Sequence, residues 1–201
     1  IADAFGRVKC MLFASDLFLL SAIGSGIPFG VSDFILWRVI GGFGIGMASI
    51  IAPIYIAETA PAHLRGRLGS MQQFAIVIGI FVALLSNYLI VRIAGSANNP
   101  MIGNVKAWQV MFWVEIIPAI LYGYAAWKLP ESPRYLIHKG FIEQAQKVLA
   151  QINPEGVDKE VETIQSSFKN KKQPKFIDLI EIIDGKERIS PILWAGLGLA
   201  I

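Results

Sequence analysis

The sequence predicts an all-α, polytopic helical membrane protein with a cytoplasmic helical domain, and two observations support this fold class. Of its 201 residues, 54% are hydrophobic and only 16% are charged, whereas a soluble domain carries about 25% charged residues. The hydrophobic residues are also concentrated in four runs of about 20 residues or more, the length that a helix needs to cross a bilayer core of about 30 Å.

The four apolar runs are predicted to be membrane-spanning helices. A strand of a membrane barrel would alternate between apolar and polar residues, and these runs show no such alternation. Lipid admits only helices and closed barrels, because backbone N–H and C=O groups find no other partners there. The runs cover residues 10–29, 34–57, 68–90 and 108–127.

The segments that connect these helices differ in charge, and this difference predicts their orientation. Residues 1–9, 58–67 and 128–188 hold fifteen of the eighteen basic residues. Because basic residues accumulate on the cytoplasmic side of membrane proteins, we assign residues 1–9, 58–67 and 130–188 to the cytoplasm. The Gly- and Asn-rich loop 95–106 then lies outside, and we expect the protein in the plasma (inner) membrane.

Residues 130–188 are predicted to form the cytoplasmic helical domain. Apolar residues recur with helical spacing over 141–152 and again over 157–168. A basic linker over 169–175 and a short third helix over 176–183 follow. This domain either packs as a cap on the membrane helix ends or binds a partner.

Residues 1–129 therefore hold the membrane helices, and residues 189–201 are predicted to begin a further span. The chain starts without Met and stops part-way through this last apolar segment. We therefore expect it to be a fragment of a larger protein.

The sequence offers no enzyme chemistry, so we expect no catalytic residue, no cofactor and no metal. Cys10 is the only cysteine, which excludes an internal disulfide and a cysteine metal site. No nucleophile is accompanied by a base. The net charge of +3 does not predict a nucleic-acid partner, because the basic residues are grouped on one side of the membrane spans.

Five short motifs lie at the ends of the predicted spans or within them. In order, they are Asp3-x-Phe5-Gly6-Arg7-x-Lys9, Arg38-x-x-x-Gly42-x-x-x-Gly46, Pro53-x-Tyr55-x-x-Glu58-x-x-Pro61-x-x-Leu64-Arg65-Gly66-Arg67, Gln72-Gln73-Phe74-Ala75-Ile76 and Pro130-Glu131-Ser132-Pro133-Arg134.

Together these motifs resemble the sugar porter family of the major facilitator superfamily, which includes mammalian facilitative glucose transporters and bacterial xylose and glucose proton symporters. The resemblance covers essentially the whole chain. It implies that the four runs are spans three to six of the family fold, part of its N-terminal six-helix half, and that residues 130–188 are its intracellular helical domain.

The chain departs from the family pattern at three positions. Ala4 and Val8 stand where the family usually has Arg, and Gln109 replaces the Arg of a usual Trp-Arg pair. These substitutions reduce the number of charged residues near the helix ends, but other acidic and basic residues of the motifs remain.

Charged residues at the cytoplasmic helix ends are predicted to form a gate. Acidic and basic side chains at one depth can pair across neighbouring helices, and bidentate Arg–carboxylate bonds fix their orientation. The resemblance implies that such pairs hold the two halves of the transporter together when it faces outward and part when it opens inward. The alternative role is interfacial anchoring. The residues are Asp3, Arg7, Glu58, Arg65, Glu131 and Arg134.

Three residues of the third span are predicted to contact the substrate. Gln73, Ile76 and Ile80 lie at i, i+3 and i+7, on one helix face. Counted from Arg92, Gln73 is placed about four turns down, near mid-membrane, where an amide is costly unless it faces a polar cavity. The resemblance implies that Gln73 bonds the sugar while both isoleucines contact its apolar face. The alternative is that Gln73 bonds another helix.

Arg38 and Glu115 are predicted to pair inside the membrane, because each charge is costly there without a partner. The resemblance implies that proton-coupled members hold an Arg and a Glu at these positions, whereas facilitators keep the Arg and typically lose the Glu. The pair therefore favours proton coupling.

The resemblance implies secondary active transport of a monosaccharide, a glucose-like hexose or a pentose, by alternating access with proton symport. The expected partners are the sugar, the proton, the lipid bilayer and the remaining spans of the same transporter. Two alternatives stay open: an uncoupled facilitative transporter, and a non-transporting sugar sensor with long cytoplasmic tails.

Overall fold

The computed structural model describes residues 2–61, 63–152, 156–169, 180–183 and 186–189. The chain divides into two compact units, residues 1–164 and 165–201. The first unit contains the long apolar helices, and the second contains a two-stranded hairpin.

Four helical segments of the first unit are long and apolar enough to cross a membrane, as the sequence predicts. Most of them extend past the apolar runs, because polar residues at the edges of a run continue the helix. They are α2 (Arg7–Gly26), α3 (Val31–Thr59), α4 (Arg65–Ala94) and the consecutive pair α5 (Ala107–Val114) and α6 (Ile116–Lys128); a four-residue helix, α1 (Ala2–Phe5), precedes them.

The fourth span is predicted as one helix but is interrupted at Glu115. Pro118 explains the interruption, because it has no N–H to donate to the carbonyl of Val114, four residues earlier. The Glu115 N–H bonds to the carbonyl of Phe112, three residues earlier, at 3.1 Å, which tightens the turn just before Pro118. The functional consequence is that an acidic side chain stands at the break.

Helix α2 is the hub of the first unit and packs against α3, α5 and α6. Glycines allow the close approach of α3, since a Cβ at Gly41 or Gly44 would meet Ser21 or Phe18 of α2. Gly42, in contrast, faces open space. The glycines of α3 that lie three residues apart therefore define its contact face.

Helix α6 packs on α2 through Ser15, whose Oγ donates to the carbonyl of Ala119 at 2.9 Å in a buried hydrogen bond. Helix α4 is packed far less, and Ile90 is its one buried residue. A small core joins α2, α3 and α6 and consists of Cys10, Met11, Ile51, Tyr55 and Ala126.

The two ends of this bundle differ. At the charged end, α2 and α4 begin with Arg7 and Arg65, and α6 ends with Lys128. The opposite end, the hairpin end, carries β1 (Pro100–Ile102) and β2 (Val105–Lys106), which pair antiparallel. The all-α prediction omits this hairpin, which lies within the predicted loop 95–106.

Three helices follow the last span at the charged end: α7 (Pro133–His138), α8 (Ile142–Ile152) and α9 (Val157–Lys169). The apolar spacing predicts the last two. Ala145, Val148 and Leu149 are buried on one face of α8. The sequence analysis omits α7, which is only six residues long.

The second unit contains an antiparallel hairpin of β3 (Ile180–Ile183) and β4 (Lys186–Ile189). The predicted helix over 176–183 is therefore wrong for its last four residues. The sequence gives a reason, because β-branched isoleucines precede an Asp184-Gly185 pair, a strong hairpin signal. Residues 170–179 and 190–201, which include most of the predicted linker and further span, lie outside the described residues.

Candidate functional site

A buried ion pair joins α2 to α3 at the charged end. Arg7 Nε lies 2.9 Å from Glu58 Oε2, and Arg7 Nη2 lies 2.9 Å from Glu58 Oε1. Arg7 is only 6% exposed. The bond is bidentate, so it fixes the orientation of both side chains as well as their separation.

Glu131, just before α7, is held mainly by backbone groups. Its carboxylate accepts from the N–H groups of Arg7 at 2.8 Å, Val8 at 3.3 Å and Ser132 at 3.0 Å. Arg7 and Val8 are the first residues of α2, where N–H groups have no partner within the helix. The positive end of the helix dipole also favours an anion there. Glu131 therefore caps α2 from another part of the chain.

Gly6 is required by this contact. Its φ of +101° lies in a region that side chains rarely adopt. A Cβ at Gly6 would stand 2.5 Å from Glu131 Oε2 and 3.3 Å from Tyr135 Cε1. The glycine in the first motif thus leaves the space in which the carboxylate reaches the backbone.

Ser132, which belongs to the fifth motif but is not among the predicted gate residues, connects the two carboxylates. It is fully buried, and its Oγ donates to Glu58 Oε2 at 2.6 Å and accepts from the N–H of Tyr135 at 3.4 Å. The Ser-Pro pair could have indicated this role, because Ser at an N-cap followed by Pro is a helix-start signal. Arg7, Glu58, Glu131 and Ser132 together are termed the charged-end cluster.

The other predicted gate residues are Arg65, Arg134 and Asp3. Arg65 is exposed, and its Nη2 is 3.5 Å from the carbonyl of Ala60, a weak contact. Arg134 is half-buried on α7. The side chain of Asp3 lies outside the described residues. Among the described side chains, three predicted gate residues, Arg7, Glu58 and Glu131, therefore meet in this cluster, together with Ser132 and Gly6.

Arg38 and Glu115 approach each other between α3 and α5–α6, as the sequence predicts. Arg38 Nη1 lies 3.8 Å from Glu115 Oε2, and the two side chains are 46% and 53% exposed. At about 1.5 Å per residue, Arg38 is about 10 Å from the start of α3 and Glu115 about 12 Å from the start of α5. The two charges thus face each other at equal depth below the hairpin end.

The guanidinium of Arg38 lies over one ring of an aromatic cluster that is absent from the sequence prediction. Arg38 Cζ lies 5.3 Å from the centre of the Phe112 ring. Phe34 and Trp108 meet that ring edge-on, at centroid distances of 5.5 and 6.2 Å. The available signal was the spacing of Phe112 and Glu115, which are three residues apart and share a helix face.

Gln73, Ile76 and Ile80 are exposed on α4, and Gln73 makes no hydrogen bond with the described residues. Gln73 lies deeper below the Arg92 end of α4 than the four turns predicted from the sequence. Gln73 stands eight residues after Arg65, about 12 Å along the helix, and nineteen residues before Arg92, about 28 Å. It therefore lies more than five turns from Arg92 and nearer to the charged end.

Gln109 shows what replaces the Arg that the family pattern would place there. Its Nε2 donates to the carbonyl of Gly26 at 2.7 Å, and its Oε1 accepts from the N–H of Lys106 at 2.9 Å. The amide thus fastens the start of α5 to the end of α2. Neither contact requires a positive charge.

No group of three His, Cys, Asp or Glu side chains within the described ranges could hold a metal ion. The chemistry that the described side chains do offer is charge pairing, at the charged end and at Arg38–Glu115. Such pairs can hold helices in one arrangement and can respond to protonation.

Comparison with known proteins identifies similar chains. The family model described as "Sugar (and other) transporter" matches residues 1–200. A glucose transport protein of Synechocystis is 53% identical over 201 residues, which are all of this chain and 42% of that protein. The D-xylose-proton symporter of Escherichia coli K12 is 39% identical over 169 residues, which are 75% of this chain and 34% of the symporter.

Solved structures of the xylose transporter XylE are similar in fold. A complex of this proton:xylose symporter with 6-bromo-6-deoxy-D-glucose gives a TM-score of 0.75 at 35% identity, covering 84% of this chain and 38% of XylE. An inward-open structure of XylE from E. coli gives 0.72 at 33% identity, covering 86% and 42%. The chain thus spans about two fifths of the length of these relatives.

Proposed function

The chain belongs to the sugar transporter family of the major facilitator superfamily, and on this premise we propose that the intact protein is a monosaccharide–proton symporter. Its relatives include a glucose transport protein and xylose and arabinose proton symporters. The proposed substrate is accordingly a hexose or pentose, carried across the bilayer by alternating access between this chain and the remaining spans.

The charged-end cluster supports the moving part of this mechanism. Its bonds run among α2, α3 and the segment before α7, all within this chain. They brace the helices against one another, so that they can turn as one body.

The predicted gate residues then have two different roles: some hold the helices of this chain together, and one makes the contact that closes the gate. Arg7, Glu58 and Glu131 are engaged with one another or with backbone of this chain, so their part is to hold the gate's frame. Arg65 is exposed, and its weak contact with Ala60 leaves the guanidinium able to reach an acceptor on the remaining spans. We assign Arg65 to the closing contact, at the end of the bundle that the charge distribution places in the cytoplasm.

The sugar is proposed to bind against α4, where Gln73, Ile76 and Ile80 share a face. An amide offers two donors and an acceptor, which suit sugar hydroxyl groups. Gln73 has no hydrogen-bond partner among the described residues, which leaves its amide available for a ligand. The two isoleucines provide an apolar surface for the sugar ring.

Proton coupling rests on one observation, the approach of Arg38 to Glu115 within two apolar spans. A carboxylate opposite an Arg in such a region is ionised when paired and can take a proton when the pair opens. Arg38 then loses its anionic partner. Protonation of Glu115 can in this way bias which arrangement of helices is more stable.

The test is sugar uptake into proteoliposomes that contain the intact protein, with and without an imposed inward proton gradient. We expect accumulation above equilibrium only with the gradient. Glu115→Gln should abolish accumulation but retain exchange between equal sugar pools, because exchange needs no net proton movement. Glu143→Gln, an exposed carboxylate on α8, is the matched control and should behave like wild type.

Other outcomes separate the alternatives. A wild-type protein that equilibrates sugar but never accumulates it contradicts symport and supports the facilitative transporter. A protein that binds sugar but moves none contradicts both and supports the sensor.

A further inference from the structure

We propose that Phe112 is a positioning residue for Arg38: its ring holds the guanidinium in place when Glu115 carries a proton. The inference rests on the proposed proton coupling and adds a second partner for Arg38 that the charged pair alone does not provide. It follows from the distances around Arg38, from the packing of the ring, and from the break between α5 and α6.

The first step concerns the two contacts of Arg38. The 3.8 Å between Arg38 Nη1 and Glu115 Oε2 is too long for a hydrogen bond, so the carboxylate attracts the guanidinium only as a charge. The ring of Phe112 is 5.3 Å from Cζ, within the range of about 6 Å at which a cation is attracted to a ring face. Arg38 makes no hydrogen bond with any described residue. Ring and carboxylate are therefore its two partners.

The second step is that the ring cannot easily turn away. Phe34 of α3 contacts it at 5.5 Å with an interplanar angle of 64°, and Trp108 contacts it at 6.2 Å with an angle of 78°. Edge-to-face packing of this kind fixes the plane of a ring. Phe34 comes from the same helix as Arg38, so α3 supplies both the cation and a support for the ring.

The third step is the link between the ring and the carboxylate. Phe112 stands three residues before Glu115, and the carbonyl of Phe112 accepts the Glu115 N–H at 3.1 Å. Pro118 leaves the carbonyl of Val114 without its regular helical partner, so the helix is interrupted at the same place. The ring and the acid are consequently held one turn apart, beside the same guanidinium.

Protonation affects these two partners differently. A proton on Glu115 removes its attraction for Arg38, and the guanidinium is then free to settle more closely on the ring face, so the cation–ring attraction is stronger in the protonated state. The ring thus limits the cost of leaving Arg38 without an anion. Without the ring, more of that cost falls on the protonated state, and Glu115 takes up its proton only at lower pH.

Other charged groups near α5 and α6 do not replace the ring. Lys106 precedes α5 by one residue, and Lys128 ends α6, about 20 Å beyond Glu115. Arg92 stands near the end of α4. Asp16 of α2 is exposed and turned by about 100° from Ser15, the residue that contacts α6. Within the described part of the chain, Arg38 is the charged group recorded opposite Glu115.

The experiment titrates the Glu115 carboxyl group by difference infrared spectroscopy of the intact protein, with Glu115→Gln identifying its band. Phe112→Leu should raise the proton concentration for half-protonation about threefold to tenfold, the size expected for losing a cation–ring contact. Phe112→Trp should stay within about twofold of wild type. Trifluorinated Phe at position 112 keeps the ring shape but weakens its face, so it should shift the titration as Leu does.

Phe81→Leu, an exposed ring on α4, is the control and should leave the titration unchanged. An unchanged midpoint in both Phe112→Leu and the fluorinated protein overturns the inference, whatever transport does. The pH profile of sugar accumulation is measured in parallel. If wild type never accumulates sugar, the proposed symport fails separately, while the infrared titration still decides the role of Phe112.

Discussion

The two carboxylates of the charged-end cluster are held by different kinds of donor. Glu58 is bonded by the side chains of Arg7 and Ser132, and Glu131 is bonded mainly by backbone N–H groups. Loss of the Glu58 charge removes the carboxylate that bonds both Nε and Nη2 of the buried Arg7 guanidinium. Breaking a buried pair from one side is costly, on the order of 3–5 kcal/mol.

Glu58→Gln should therefore destabilise the intact protein, by about 2–4 kcal/mol, because the amide keeps part of the hydrogen bonding but not the charge. The measurement is thermal unfolding of purified protein. Glu143→Gln removes an exposed carboxylate from α8 and should change stability by less than about 0.5 kcal/mol. Equal unfolding temperatures for the two variants would show that the Arg7–Glu58 pair does not stabilise the fold.

Gly6→Ala tests whether the carboxylate of Glu131 needs the space at Gly6. We expect a loss of about 2–4 kcal/mol, from an unfavourable φ and from the clash with Glu131. Gly140→Ala is the matched control, since Gly140 has a φ of +85° but open space around it. The difference in unfolding temperature between the two variants isolates the clash, and no difference contradicts it.

Gln73→Ala should weaken sugar binding by about 1–3 kcal/mol, the cost of losing a hydrogen bond in a desolvated site. Gln72→Ala, at the neighbouring position about 100° around α4, should alter binding far less. Calorimetric titration of sugar into each purified, folded variant measures the difference. Unchanged affinity in Gln73→Ala would remove this residue from the proposed site.

The charges of these sites could be predicted because Arg and Glu are conspicuous in an apolar sequence. Arg7–Glu58 and Arg38–Glu115 both pair in the structure. Gly6, Ser132 and Phe112 were not predicted, since their importance arises from what lies across the fold from them. The depth of Gln73 was misjudged by counting from one end of a helix that proves to be 30 residues long.

Among the helices, α2 is the one against which α3, α5 and α6 pack. The face of α3 that carries Gly41 and Gly44 contributes no side chain at these two positions, so Ser21 and Phe18 of α2 pack close to its backbone, while α4 remains almost unpacked. The close packing of α2 and α3 holds these two helices together. The lack of packing on α4 leaves a long exposed surface, and the proposed substrate face is part of it.

Gly41→Val should push α3 away from α2, because a side chain there meets Ser21. Overpacking of this kind costs about 1–3 kcal/mol. Gly42→Val changes the next residue, which faces open space, and should be nearly neutral. The comparison of unfolding temperatures uses the same substitution in the same helix, so equal losses would contradict the assigned contact face.

The spans could be predicted from hydropathy alone, because their length and composition are set by the bilayer. Two local features escaped that reasoning. The break at Glu115 lies beside Pro118, which stands inside an otherwise apolar run. Ile180–Ile183 forms a strand where a helix is predicted, because β-branched residues favour strands. Short elements offer too few residues for periodicity to decide.

At the scale of the whole molecule, the bundle has two unlike ends. The charged end holds the braced cluster and the exposed Arg65, and the hairpin end holds β1 and β2. In the proposed transporter, the charged end faces the cytoplasm and closes when the sugar site opens outward.

Arg65→Ala should shift the intact transporter towards states open at the charged end, because it removes a contact made only when that end is closed. Sugar affinity and stability should change little. Arg67→Ala, two residues away and also exposed, is the control. Accessibility of an engineered cysteine in the closed region to a membrane-impermeant reagent, applied from inside, reports the shift. Identical labelling of the two variants contradicts the role of Arg65.

The way Glu131 is bonded has a consequence for genetics. Exchanging the charges of Glu58 and Arg7 restores their attraction, so a defect at one position can be suppressed by a change at the other. The partners of Glu131 at the start of α2 are peptide N–H groups, which every residue except proline supplies. No substitution at these positions turns such a donor into an acceptor. Selection for suppressors of a Glu131 defect should consequently return the original residue or distant changes, and not substitutions at Arg7 or Val8.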